Sequence, residues 1–350
     1  MNSATRPPIL TIQYLRAIAA SMVVFHHAMA VPELAPYYSR PIGQFGVDLF
    51  FVISGLIMWT TTKNGQYRPL NFYVARIIRV VPAYWFYTTL FLAMALFVPG
   101  ALFTAAVDPL HVLKSYLFIP AEHPRGGTVP LYTLGWTLNY EMFFYFIFGL
   151  CLFIENHVLR LAALISVLTI LAMVGRFTDA QNTVVAFYAN PIILEFAFGV
   201  LIAEITSRIA LSSTALGSAL IAVAVACLAF CYTRDTLGER ILVNGAPASI
   251  MVVGALLLER KAQSMPSRLG KLLGDASYSI YLAHPFAMRI VYFAVSMSFG
   301  KVTTSGGEVI LAATEVIAGI AGGVIGYFIL ERPITGARRW MRTRKAAQLA

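Results

Sequence analysis

The chain alternates apolar stretches of about twenty residues with short polar connections, and that alternation decides most of what it can fold into. A helix needs about 20 predominantly apolar residues to cross bilayer hydrocarbon, where each backbone N–H and C=O must be satisfied within the chain. On that criterion ten spans are predicted, near residues 10–31, 43–62, 80–99, 133–153, 158–175, 189–205, 214–232, 243–258, 274–298 and 309–330. Only 12% of the 350 residues are charged and 59% are hydrophobic, with a mean hydropathy of +0.74. A soluble domain is about 25% charged, so a water-borne globule is excluded. The fold class is all-α: a polytopic membrane protein with about ten transmembrane helices. Stretches that hold proline, such as the one with Pro285, are expected to kink or begin late, because proline removes a backbone donor.

The formal net charge of +10 would suggest nucleic acid in a soluble protein. Here it reads by position. Counting Lys and Arg by alternate connections, with the N-terminus inside, puts 17 inside and 7 outside, while Arg16 and Arg289 sit within spans. That bias predicts both termini in the cytoplasm and no nucleic-acid partner. The first span ends in Ala28-Met29-Ala30, which is similar to a signal-peptidase site; Arg16 and two histidines interrupt the would-be signal core, so the segment is expected to be retained. The longest outside connection, residues 100–132, carries four prolines and Gly126-Gly127. It is too irregular for a simple span and of a kind that caps an external cavity. Cys151, Cys227 and Cys231 fall inside apolar stretches and are expected to pack rather than pair. The domain reading is one transmembrane domain, 1–335, followed by a basic cytoplasmic tail, 336–350.

Arg16, His26, His27, Asp48, Glu141, Glu195, His284, Arg289 and Glu315 stand within the spans. Insertion of Arg or Asp at a helix centre costs about 2.5–3.5 kcal/mol, so these groups face one another or a wet cavity. Arg16 and His27 are eleven residues apart, which at 100° per residue is three turns plus about 20°, with a rise of roughly 16 Å. They share a face, with Arg16 toward the cytoplasm. Such a groove suits a phosphorylated cofactor whose reactive end reaches a histidine able to take a hydroxyl proton. Spacing alone does not separate this from a histidine that merely bonds across helices. Arg76 and Arg79 are i, i+3 neighbours in the segment Tyr73–Pro82 after the second span, where guanidinium forks match phosphate. On these residues alone a positive-inside anchor explains them better. Asp48, in Gly46-Val47-Asp48-Leu49-Phe50-Phe51, demands a partner such as Arg16 or His27, and the residues do not choose between them. No usual metal-ligand spacing occurs, so no metal site is expected.

Five motifs occur in order: Arg16 with His27, Phe45–Gly55, Arg76-x-x-Arg79-x-x-Pro82, Trp136-Thr137-Leu138-x-x-Glu141-x-x-Phe144-Tyr145, and Tyr278-Ser279-x-Tyr281-Leu282-x-His284. Together they make the chain resemble the membrane-bound acyltransferase 3 family over nearly its whole length. The stretch Gly135–Tyr145 is most similar to the exopolysaccharide O-acetyltransferase branch. The resemblance implies acyl transfer from cytoplasmic acyl-CoA to hydroxyls of exported glycans at the bacterial inner membrane. It implies that Arg16 and His27 are essential and favours a catalytic His27, associates Arg76 and Arg79 with the CoA donor, and leaves Asp48, Trp136, Glu141, Tyr278 and His284 as site-lining residues. Many relatives carry two adjacent acidic residues after Trp-Ser-Leu; here Met142 stands second and Thr137 replaces the serine, which puts a carboxylate-pair mechanism in doubt.

The expected function is therefore O-acetyl transfer from acetyl-CoA to a sugar hydroxyl of an exopolysaccharide or its lipid-linked repeat unit. No cofactor is held permanently, and the partners are acyl-CoA, the saccharide acceptor, membrane lipid and polysaccharide assembly machinery. The rivals are succinyl transfer to the same glycans and a non-enzymatic carrier or flippase for lipid-linked saccharide, its path lined by the buried charges.

Overall fold

The computed structural model describes residues 8–29, 42–63, 68–98, 107–177, 181–208, 212–233, 239–300 and 304–336. In chain order the helices are α1 (Leu10–Met29), α2 (Ile42–Thr62), α3 (Pro69–Phe97), α4 (Pro109–Tyr116), α5 (Gly135–Cys151), α6 (His157–Phe177), α7 (Thr183–Tyr188), α8 (Leu194–Arg208), α9 (Thr214–Thr233), α10 (Ala246–Leu257), α11 (Glu259–Ser264), α12 (Arg268–Phe299) and α13 (Ser305–Gly326). A π-helical turn, Ile241–Gly245, leads into α10, and another, Tyr327–Glu331, continues α13. Among the described residues the β structure is one antiparallel bridge, Glu122 with Thr128. The predicted basic tail lies outside the described residues from 337 on, and so does Ala30.

Each of the ten predicted spans falls on a helix. Six stretches among the described residues are long and apolar enough to cross a membrane: Gly43–Thr62, Pro69–Phe97, His157–Phe177, Thr214–Cys231, Arg268–Phe299 and Gly306–Gly336. The other four predicted spans coincide with α1, which carries Arg16 and two histidines, with the shorter α5 and α8, and with Ile241–Leu257.

Two helices begin earlier than the apolar pattern predicts. Pro69 occupies the first turn of α3, where its missing N–H costs nothing. Ser267 caps α12 by accepting the Gly270 N–H at 3.0 Å. Pro82 and Pro285 consequently lie inside helices instead of starting them, as apolar bundles tolerate. Arg76 and Arg79 therefore stand in the first turns of α3 rather than in a connection.

The chain divides into two compact units. The first, Met1–Thr60 with Phe198–Val324, is organised by α1 packed along α12. A Cβ on Gly274 would lie 2.2 Å from the Gln13 carbonyl oxygen, so only glycine admits this approach. The start of α1 is held from α11. Glu259 accepts the Leu10 N–H at 2.9 Å, the Thr11 N–H at 2.9 Å and the Thr11 hydroxyl at 2.7 Å. These are donors that a helix start leaves open. Burial pushes the Glu259 carboxyl up, but these bonds outweigh burial and hold it below the usual carboxylate value.

The second unit, Thr61–Ala197 with Ile325–Ala350, has an aromatic core that includes Phe72, Phe144, Phe148 and Phe196. Its 107–132 connection is tightly hydrogen-bonded. Asp108 caps α4 by accepting the His111 N–H at 2.7 Å, and Ser115 donates to the His111 carbonyl while accepting the Leu131 N–H. Gly126 and Gly127, at φ 96° and 80°, turn the chain between the bridged Glu122 and Thr128. All three cysteines are free thiols; Cys151 is buried, as packing predicts, whereas Cys227 is exposed on α9.

Candidate active site

In the first unit α1 and α12 bring two histidines together that are 257 residues apart in the chain. His284 is fully buried. Its Nδ1 lies 3.0 Å from the Ile280 carbonyl oxygen and its Nε2 lies 3.2 Å from His27 Nδ1. His27 Nδ1 is also 2.9 Å from the Val23 carbonyl oxygen. The ring centroids are 5.0 Å apart. α13 closes over this pair through Gly319, where a Cβ would come within 2.8 Å of Val24 and 3.1 Å of His284. His27 is exposed, and both of these contacts are made by its Nδ1. His26 stands edge-on to His27, with centroids at 5.2 Å.

Arg16 lies three turns back on α1, half-buried, and donates to Gln13 Oε1 at 3.1 Å. Tyr278 is half-buried on α12, nearly two turns before His284. Asp48 meets neither Arg16 nor His27. Its buried carboxylate takes the fork of Arg240, Nε at 2.9 Å and Nη2 at 3.1 Å, and the Asn244 amide at 3.2 Å. Arg240 precedes the π-helical turn and Asn244 falls within it, four residues on, so both reach the same side of α2. A lone carboxylate among Phe and Val needed such a cation.

The second unit holds the remaining candidates. The Arg76 guanidinium lies over the rings of Phe72 and Tyr145, 5.8 Å from each centroid, and its buried Nε has no hydrogen-bond partner. Glu141 accepts the hydroxyl of Tyr145, so Arg76, Tyr145 and Glu141 form one cluster across α3 and α5. Arg79, three residues on, pairs with the buried Glu331 of the second π-helical turn. Trp136 stands edge-on to Tyr140, with centroids at 6.0 Å.

Sequence reasoning missed Arg240, Asn244, Glu331 and Glu204. The last accepts the buried Trp59 indole N–H at 2.9 Å and the Arg208 Nε–H at 2.8 Å. Glu204 and Arg208 carry a local signal, an i, i+4 pair of opposite charge. The other three are long-range partners with no pattern in the sequence.

The chain matches the family described as "Acyltransferase domain" over residues 9–332. It is 38% identical over 312 residues to the exopolysaccharide production protein ExoZ of Rhizobium meliloti (strain 1021), an alignment that covers 88% of this chain and 94% of that protein. No solved structure matches it.

Proposed function

Because the chain belongs to the acyltransferase 3 family, we propose that it carries an acetyl group from acetyl-CoA to a sugar hydroxyl of an exopolysaccharide or its lipid-linked repeat unit, at a bacterial inner membrane. The observation that carries this reading is the His27–His284 pair, a titratable couple set among apolar helices with one ring exposed. The similarity to an exopolysaccharide production protein supports a glycan acceptor. His27 takes the proton of the acceptor hydroxyl as its oxygen attacks the thioester carbonyl. The carbon–sulfur bond breaks, CoA leaves as thiolate, and the proton passes from His27 to that sulfur, so the enzyme ends neutral.

Of the two α3 arginines assigned to the anionic donor, Arg79 acts indirectly, its charge met by Glu331. Arg76 is the foremost of them, since its guanidinium rests on aromatic faces and has no carboxylate partner among the described residues. In the first unit Asp48, Tyr278 and His284 are assigned as site-lining residues, and in the second unit Trp136 and Glu141. In this reading the chain crosses the membrane about ten times with both termini cytoplasmic, and it works beside membrane lipid and the polysaccharide assembly machinery.

Exopolysaccharide from a strain that lacks the gene is expected to lose its O-acetyl NMR signals. The wild-type gene should restore them, while His27→Ala should leave transfer lower by a factor on the order of 10²–10⁴. Full acetylation in the deletion strain, or full restoration by His27→Ala, would overturn the proposal.

A further inference from the structure

We infer that His284 is a positioning residue that joins the Val23 carbonyl in fixing the tautomer and ring pose of His27, an assignment that rests on the role proposed above for His27. The hydrogen placement follows from the acceptors. His284 Nδ1 faces the Ile280 carbonyl oxygen at 3.0 Å, and a lone pair there would oppose the oxygen's own, so Nδ1 carries the hydrogen. A neutral imidazole has one N–H, so His284 Nε2 is an acceptor. His27 Nδ1 then faces two acceptors, that Nε2 at 3.2 Å and the Val23 oxygen at 2.9 Å, and must itself carry hydrogen.

What remains on His27 is an Nε2 lone pair on the ring edge away from both acceptors, the state a general base needs before it meets a hydroxyl. The burial of His284 and the close seat of Gly319 on its Cβ hold the second ring in place, so the tautomer is set before substrate arrives. When Nε2 takes the hydroxyl proton, His27 becomes an imidazolium whose Nδ1–H still donates to His284 Nε2. A charge-assisted bond of this kind is stronger than the neutral one it replaces. The proton leaves again from Nε2 to the CoA thiolate, and His284 ends unchanged.

The test pairs spectroscopy with kinetics on the full chain in lipid nanodiscs. With ¹⁵N-labelled histidine, the His27 signals, identified by their loss in His27→Asn, should show protonated Nδ1 and bare Nε2 in the wild type. His284→Leu, which keeps bulk but leaves His27 Nδ1–H only the Val23 carbonyl of these two acceptors, should shift the His27 Nδ1 signal. It should also lower kcat by roughly tenfold or more while KM for acetyl-CoA stays within about twofold. His284→Gln, whose amide oxygen can stand where Nε2 stood, should restore most of kcat. A wild-type His27 protonated on Nε2, a His284→Leu enzyme with unchanged kcat, or a His284→Gln enzyme as slow as His284→Leu would each overturn the inference. If His284→Leu does not fold, the wild-type spectrum and the Gln variant still decide. Should His27→Ala turn over like the wild type, the role of His27 itself fails, a result distinct from any of these.

Discussion

Arg76 and Arg79 sit one helical turn apart on α3, yet their guanidinium groups meet opposite surroundings. Arg79 is neutralised by buried Glu331, whereas Arg76 lies over Phe72 and Tyr145 with a bare Nε. The two should fail differently. Arg76→Ala is expected to raise KM for acetyl-CoA about tenfold or more, the equivalent of roughly 1.4 kcal/mol of phosphate binding, with the melting temperature nearly unchanged. Arg79→Ala leaves a buried carboxylate uncompensated, so it should cost about 3 kcal/mol of stability, and Glu331→Gln should recover part of that loss in the double variant. Melting curves and KM measured on both variants check this, and identical profiles for the two would contradict it. The spacing Arg76-x-x-Arg79 is visible in the sequence as a basic pair suited to phosphate. The division of labour is not, because the residue that separates them, Glu331, is 252 positions away from Arg79. Asp48 shows the same limit: burial of a lone carboxylate demanded a cation, but which cation depended on how α2 meets the turn that carries Arg240 and Asn244.

α1 shows how much one element depends on its neighbours. Its first turn has no side-chain cap of its own in the sequence, and Glu259 supplies one from α11. Since these bonds hold the Glu259 carboxyl below its ordinary value, the folded chain favours the ionised form. The stabilisation is complete above the ordinary carboxylate range and is lost as pH falls through the depressed value. Glu259→Gln should therefore lower stability by about 1 kcal/mol at neutral pH, and melts followed down the pH scale should converge with the wild type in acid. A gap that persists at low pH would show that the charge is not what matters. Gly274 supports the same helix from α12, and Gly274→Val should leave little folded protein, because no rotamer removes a Cβ from the Gln13 carbonyl. Detergent extraction followed by size-exclusion chromatography reads that outcome; a normal monodisperse peak would refute it. Helix positions were legible because apolar stretches of membrane length announce themselves. Helix starts were not, since Pro69 and Ser267 place them in polar sequence ahead of the apolar stretch that each helix carries.

At the scale of the whole molecule the few charges fall into distinct groups. Many are the Lys and Arg of the connections, which carry the topological bias; a smaller set, Glu204, Glu259 and Glu331 with their partners, ties helices together within each unit. What is left is a short list that includes His27, His284 and Arg76. Each unit joins segments far apart in the chain, so the sequence could name these residues and order their motifs but could not bring His27 to His284. On the reading proposed above, this membrane chain is an acyl-CoA-consuming transferase with His27 at its chemical step. The most direct test of that reading is the purified protein in nanodiscs, given acetyl-CoA labelled in the acetyl group and the lipid-linked saccharide. Label is expected on the saccharide with one CoA thiol released per transfer, and both are expected to be lost in His27→Ala. Movement of saccharide across liposomes with no acetyl-CoA consumed, or equal transfer by His27→Ala, would contradict it.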